Sequence, residues 1–201
     1  MAHHLGGLFP RQPVPALEIS VVGIGPWRLA EQRPPKFNLV LFYRGFHCPI
    51  CSAYLMDVQR RLDALREHGV GTIAVSSDTA ERAQMAVDKW GLDRLQIGYG
   101  LTLDSARDWG LFISARRNSH PTPTGAVEPA LFSEPGMFLV RPNGTLYLSS
   151  VQTMPFTRPN IGDVIKALEV VEREDYPARG EVVDHRKAAA VAGANDGADH
   201  Q

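Results

Sequence analysis

Cys48 and Cys51 are the only cysteines of the 201-residue chain, and they flank two residues in Cys48-Pro49-Ile50-Cys51. A thiol attacks as its thiolate, so a reactive cysteine needs its pKa drawn down from about 8.5. Pro49 suits the first position of a helix and thereby places Cys48 at the N-cap, where unpaired amide groups and the helix dipole favour an anion. Cys51, about one turn inside that helix, can face the same edge and close a small disulfide ring. The roles that follow are attack by Cys48 and resolution by Cys51, with Arg44 and His47 close enough in sequence to add positive charge.

Two blander uses of the pair compete with redox chemistry. Free cysteine is among the most buried residue types, so both thiols could be inert core residues. They could also be half of a tetrahedral zinc site, but the chain has no third cysteine, and His47, His68 and His120 lack ligating spacing. A zinc ion would then have to be shared between two copies. No metal and no cofactor is expected.

The elements around the pair favour redox chemistry. Asn38 to Tyr43 is expected to be a central strand, its apolar run Leu39 to Tyr43 the mark of a strand buried on both faces, and the cysteines begin five residues beyond it. From Pro49 to His68, Leu55, Val58, Leu62 and Leu65 recur at helical spacing, and Gly69 is a candidate C-cap. Val70 to Val75 is a second apolar strand, which completes a βαβ crossover. A C-x-x-C motif inside such a unit is the usual setting of a redox pair.

Ser76 to Thr79 can cap a helix over Ala80 to Trp90. Further on, the sequence predicts a first strand within Ala16 to Val22, a short strand at Gln96 to Gly98 and a short helix at Leu103 to Gly110. A long proline-containing loop spans Asn118 to Pro129. The Asn143-Gly144 turn joins strands at Gly136 to Val140 and Thr145 to Val151, and a last helix covers Ile161 to Arg173. A parallel unit followed by an antiparallel hairpin gives an α/β fold with a central mixed β-sheet flanked by helices. Reactive groups gather beyond the carboxyl ends of the parallel strands. Four segments should meet there: Arg44 to Cys51, Ser76 to Asp78, Glu134-Pro135, and Gln152 to Arg158. Trp27, Trp90 and Trp109 are expected in the core, away from Cys48.

Composition narrows the partners. A formal charge of −1 with a pI near 6.7, and basic residues scattered along the chain, suggests neither nucleic acid nor an anionic membrane surface. No apolar stretch approaches the roughly 20 residues of a membrane span. The N-terminus does not read as a secretory signal, so a cytoplasmic location is expected. Residues 1–15 and 178–201 are expected to be a mobile segment and a disordered tail around one domain at 16–177.

The segment from Leu39 to Cys51, with its F-Y-R-G-x-x-C-P-x-C pattern, resembles the thioredoxin-like branch of the alkyl hydroperoxide reductase/thiol-specific antioxidant (peroxiredoxin-like) family. The likeness extends through Ser133 to Gly144 and Met154 to Pro159, and covers roughly residues 16–172. It implies a thioredoxin fold in which Pro135 takes the place of the family's cis-proline. It also implies an antioxidant oxidoreductase acting on protein or small-molecule disulfides or on hydroperoxides, recharged by a thioredoxin or glutathione system, as a monomer or homodimer.

Typical peroxiredoxins carry P-x-x-x-T-x-x-C and a distant arginine. Leu41, Gly45 and Pro135 stand at the proline, threonine and arginine positions here. Those departures shift the expectation toward dithiol-disulfide exchange, with thiol peroxidase as the alternative and a non-catalytic binding or zinc-holding module as a third class. Arg44 or Arg158 is the candidate electrostatic substitute, and Met154 and Phe156 form a candidate docking patch on the loop that carries Arg158.

Overall fold

Apolar strands buried on both faces organise the computed structural model, which describes residues 7–184 and 186. In chain order the elements are β1 (Glu18–Val21), β2 (Gly25–Arg28), a 3-10 turn (Leu29–Glu31), β3 (Phe37–Phe42), α1 (Pro49–Arg60), α2 (Leu62–Glu67) and β4 (Val70–Val75). There follow α3 (Ala80–Trp90), β5 (Gln96–Tyr99), α4 (Leu103–Asp108), β6 (Ile113–Ala115), β7 (Leu131–Ser133), β8 (Gly136–Val140), β9 (Leu146–Val151) and α5 (Ile161–Glu174). Seven strands form one mixed sheet in the order β2-β1-β5-β4-β3-β8-β9, and β6 pairs with β7 apart from it. Strands β3, β4 and β5 are parallel, and the other pairings are antiparallel.

The central strand, apolar apart from the buried Asn38, shows why its other residues are apolar. Phe37, Leu39, Leu41 and Tyr43 pack on one face with Leu55, Val58, Leu65, Ala86 and Leu168, from the layer of α1, α2, α3 and α5. Val40 and Phe42 pack on the other face with Ala106, Trp109, Leu111 and Phe138. Period-2 alternation in a strand covered on both sides leaves no polar face. Trp27, Trp90 and Trp109 are all buried.

Three local features differ from the expectation. The helix after the cysteines is broken at Arg61, whose N–H turns back to Val58 and Gln59 carbonyls. Strand β2 joins β1 in a hairpin although Pro26 lies within it, as an edge strand tolerates. Residues 7–15 include a segment hydrogen-bonded to the sheet: Val14 N–H donates to Gly144 C=O and Arg11 N–H to Leu146 C=O. Arg11 also donates to Ala178 C=O, so the described residues just beyond 177 touch the domain. The rest of the expected mobile ends, residues 1–6, 185 and 187–201, lies outside the described residues. No described helix is long and apolar enough to cross a membrane.

Candidate active site

The register of the sheet brings the four expected segments to one edge. Phe42, at the end of β3, lies opposite Gly136, and Gly136 lies opposite Val151. The chain leaving β3 therefore meets both the lead-in to β8 and the exit from β9. Ser76 to Asp78 is fixed there by the backbone, since Ser76 N–H donates to Gly98 C=O and Gly100 N–H to Asp78 C=O.

Gly45 to Cys48 forms a tight turn closed by Cys48 N–H donating to Gly45 C=O at 3.1 Å. The turn delivers Cys48 to the N-cap of α1, with Pro49 next. Both cysteines are free thiols and both are buried, Cys48 to 1% exposure and Cys51 to 0%. Arg158, from the loop after β9, donates from Nη2 to Cys51 Sγ at 3.1 Å and reaches Cys48 Sγ at 4.0 Å.

The guanidinium is closer to Cys51, yet the low-pKa thiol is Cys48. Cys51 is buried deepest, which pushes its thiol well above the ordinary value, and its hydrogen bond to Cys48 keeps it protonated. That hydrogen bond is in turn the main influence lowering Cys48, helped by the Cys51 amide, Arg158 and Arg44 against the cost of burial. A thiolate at a helix N-cap with a guanidinium beside it has the chemistry of a nucleophile, and a protonated neighbouring thiol can be called on after it.

Arg158 is itself held in place. Its guanidinium lies 5.2 Å from the centre of the Tyr54 ring, and Tyr54 Oη donates to Pro159 C=O at 3.0 Å. Tyr54 went unnoticed in the sequence; its helical position one turn after Cys51 is the only signal it offers. Met154 and Phe156 lie on the same loop as Arg158 and are exposed, Phe156 to 74%.

Arg44 is held differently. Its Nη2 bonds Glu128 Oε1 at 3.3 Å, its Nε lies 3.4 Å from Glu134 Oε2, and its guanidinium sits 4.5 Å from the Phe132 ring centre. Glu134 also accepts from Ser114 Oγ at 2.6 Å. Arg44 thus ties the reactive segment to β6, β7 and the loop between them, and two carboxylates balance much of its charge.

Two expectations about site residues are corrected. His47 does not add positive charge: it is 1% exposed against Phe132, and burial and Arg44 hold its pKa down at about 4. Pro135 is not cis, for no cis peptide bond occurs among the described residues. It links β7 to β8, with Glu134 N–H bonded to Phe112 C=O and Pro135 C=O accepting from Gln152 N–H. Trp90, though in the core, is also nearer the site than expected, because it stacks on Phe46 at 5.6 Å.

The AhpC/TSA family model matches residues 10–149, well over half of the chain. The chain belongs to the AhpC/TSA family. It is accordingly an enzyme of thiol-dependent redox chemistry. Among solved structures it is similar to the reduced 2-Cys peroxiredoxin of Plasmodium vivax, with a TM-score of 0.65 at 15% identity over 83% of each chain. AhpC of Enterococcus faecalis gives a TM-score of 0.64 at 17% identity, covering 82% of this chain and 93% of that one. Reduced Prx3 of Vibrio vulnificus, determined in complex with hydrogen peroxide, gives 0.61 at 16%, covering 79% and 97%. At such identities the likeness is one of fold: the thioredoxin fold, here as a mixed sheet flanked by helices. No curated protein matches the chain in sequence.

Proposed function

We propose that this AhpC/TSA protein performs dithiol-disulfide exchange through Cys48 and Cys51. The Cys48 thiolate attacks one sulfur of a partner disulfide, forming a mixed disulfide and releasing the other sulfur as a thiolate that takes a proton from water. Cys51 then gives up its proton and attacks Cys48 Sγ, so the Cys48–Cys51 disulfide forms and the second partner sulfur leaves as a thiol. The partner has gained two electrons and the enzyme has lost two, which the dithiol of a thioredoxin or two glutathione thiols would return. The observation that carries this reading is the single guanidinium of Arg158 reaching both sulfurs, at 3.1 and 4.0 Å. It can stabilise negative charge on either thiol as the reaction passes from one to the other.

A second reading, hydroperoxide reduction, is favoured by the family and by the same arginine. Cys48 would attack the terminal peroxide oxygen and become a sulfenic acid while the alcohol or water leaves with a proton; Cys51 would then condense with it and release water. Exposed Met154 and Phe156 beside Arg158 provide an apolar rim for an organic hydroperoxide or a protein disulfide.

A zinc-holding role has less support. The cation that lies beside both sulfurs is the guanidinium of Arg158.

Reduction of insulin or glutathione disulfide, run beside stopped-flow consumption of hydrogen peroxide and cumene hydroperoxide, tests the proposal. Disulfide turnover that disappears in Cys48→Ser supports exchange. Peroxide consumption far faster than that of a free thiol, with no disulfide turnover, selects the second reading instead.

A further inference from the structure

We infer that Asp78 is a positioning residue of the reaction, the group that fixes the Gly45–Cys48 turn and so holds Cys48 at the N-cap. The inference rests on Cys48 being the attacking thiol. Asp78 Oδ2 accepts from Phe46 N–H at 2.7 Å, across 32 positions of sequence. Phe46 is the second residue of the turn that Cys48 N–H closes. The carboxylate is buried and rigidly mounted: its own N–H donates to Ser76 Oγ at 3.3 Å and its carbonyl accepts from Gly100 N–H.

The turn is shaped around this carboxylate. Gly45 has φ +122, and a Cβ there would lie 2.7 Å from Asp78 Oδ1 and 2.8 Å from Oδ2. The family's peroxidase threonine position is therefore occupied from the other side, by a carboxylate reaching in from the end of β4. A side chain at position 45 would have to displace the Asp78 carboxylate. In this chain the carboxylate holds the turn.

Charge alone would have the opposite consequence from positioning, which makes the two separable. Were the Asp78 charge to act on Cys48 directly it would disfavour the thiolate, and removing it by any substitution would lower the Cys48 pKa. Loss of the anchor should instead let the turn move, weaken the N-cap placement and raise the pKa. Asp78→Asn removes the charge but keeps an oxygen acceptor for Phe46 N–H; Asp78→Ala removes both.

The test is the pH profile of Cys48 alkylation by iodoacetamide in a Cys51→Ser background, for the parent, Asp78→Asn and Asp78→Ala. Positioning predicts that Asp78→Ala moves the apparent pKa upward by about one unit, or about tenfold in rate below it, and that Asp78→Asn restores the parent profile or a slightly lower pKa. A downward shift in both variants, or an unchanged profile in Asp78→Ala, overturns the inference. Should Asp78→Ala not fold, the Phe46 amide is read by NMR in the parent and in Asp78→Asn. A solvent-protected amide whose resonance moves on the substitution supports the anchor, and a freely exchanging one refutes it. A Cys48 with the pKa of a free thiol in the chain that keeps Cys51 would contradict the proposed function, whereas the Phe46 amide reports on the anchor alone.

Discussion

Arg158 Nη2 lies 3.1 Å from Cys51 Sγ, although 107 positions separate the two residues in sequence. The contact places a fixed cation under a dithiol that is otherwise shut off from water. In a buried site such a charge acts with less screening than at the surface.

Arg158→Met keeps much of the side chain's volume and removes the charge. The Cys48 thiolate should become harder to form, with its pKa rising by about one unit and alkylation below that pKa slowing about tenfold. Tyr54→Ala, which takes away the ring beneath the guanidinium, should give a smaller shift in the same direction, and Tyr54→Phe a smaller one still. Thiolate absorbance near 240 nm followed against pH measures all three. An unshifted titration in Arg158→Met would show that the guanidinium does not act on the thiols.

Replacing Gly45 by threonine installs the residue found at that place in typical peroxiredoxins, but the backbone here is not built for it. The positive φ and the 2.7 Å approach of Asp78 each oppose a side chain, and a strained backbone of this kind costs about 1–3 kcal/mol. Gly45→Thr should lower the melting temperature and slow peroxide consumption. A faster peroxidase of parental stability would contradict the close approach.

His47 makes the protein sensitive to acid. Its pKa is about 4 when folded against about 6.5 in an unfolded chain. The unfolded state therefore binds the extra proton between those values. The stability that comes from keeping the ring neutral is fully present above pH 6.5 and is lost as pH falls toward 4, by about 3 kcal/mol in all. Both ring nitrogens are buried and have no hydrogen-bond partner among the described residues, and the ring packs on Phe132. His47→Phe should flatten the dependence of stability on pH between 7 and 4, as measured by urea unfolding. A parallel decline in both proteins would place the acid sensitivity elsewhere.

Much of this architecture can be read from local patterns. Val70–Val75 and Ala80–Trp90 have the same limits in sequence and structure, because an apolar strand, a Thr79 cap and a Gly91 stop are all local signals. β6 and β7 could not be read this way: each has three residues, includes exposed positions, and exists through pairing across a loop. At the site, Cys48 and Cys51 announce themselves by spacing, and Arg158 falls on a loop that the hairpin topology directs to the right edge. Asp78 looks like part of a helix-capping stretch, and only the close approach to Gly45 and Phe46 reveals its other contacts. His47 shows the limit of adjacency, since being next to Cys48 suggested charge and burial removed it.

The division of labour between the two cysteines is open to direct observation. Reduced protein is mixed with a model disulfide such as glutathione disulfide, and the adducts are mapped by mass spectrometry in Cys51→Ser and Cys48→Ser. Cys51→Ser should accumulate a mixed disulfide on Cys48, Cys48→Ser should accumulate none at neutral pH, and the parent should pass to the Cys48–Cys51 disulfide. A stable adduct on Cys51 in Cys48→Ser, or a parent that never forms the internal disulfide, would contradict the account.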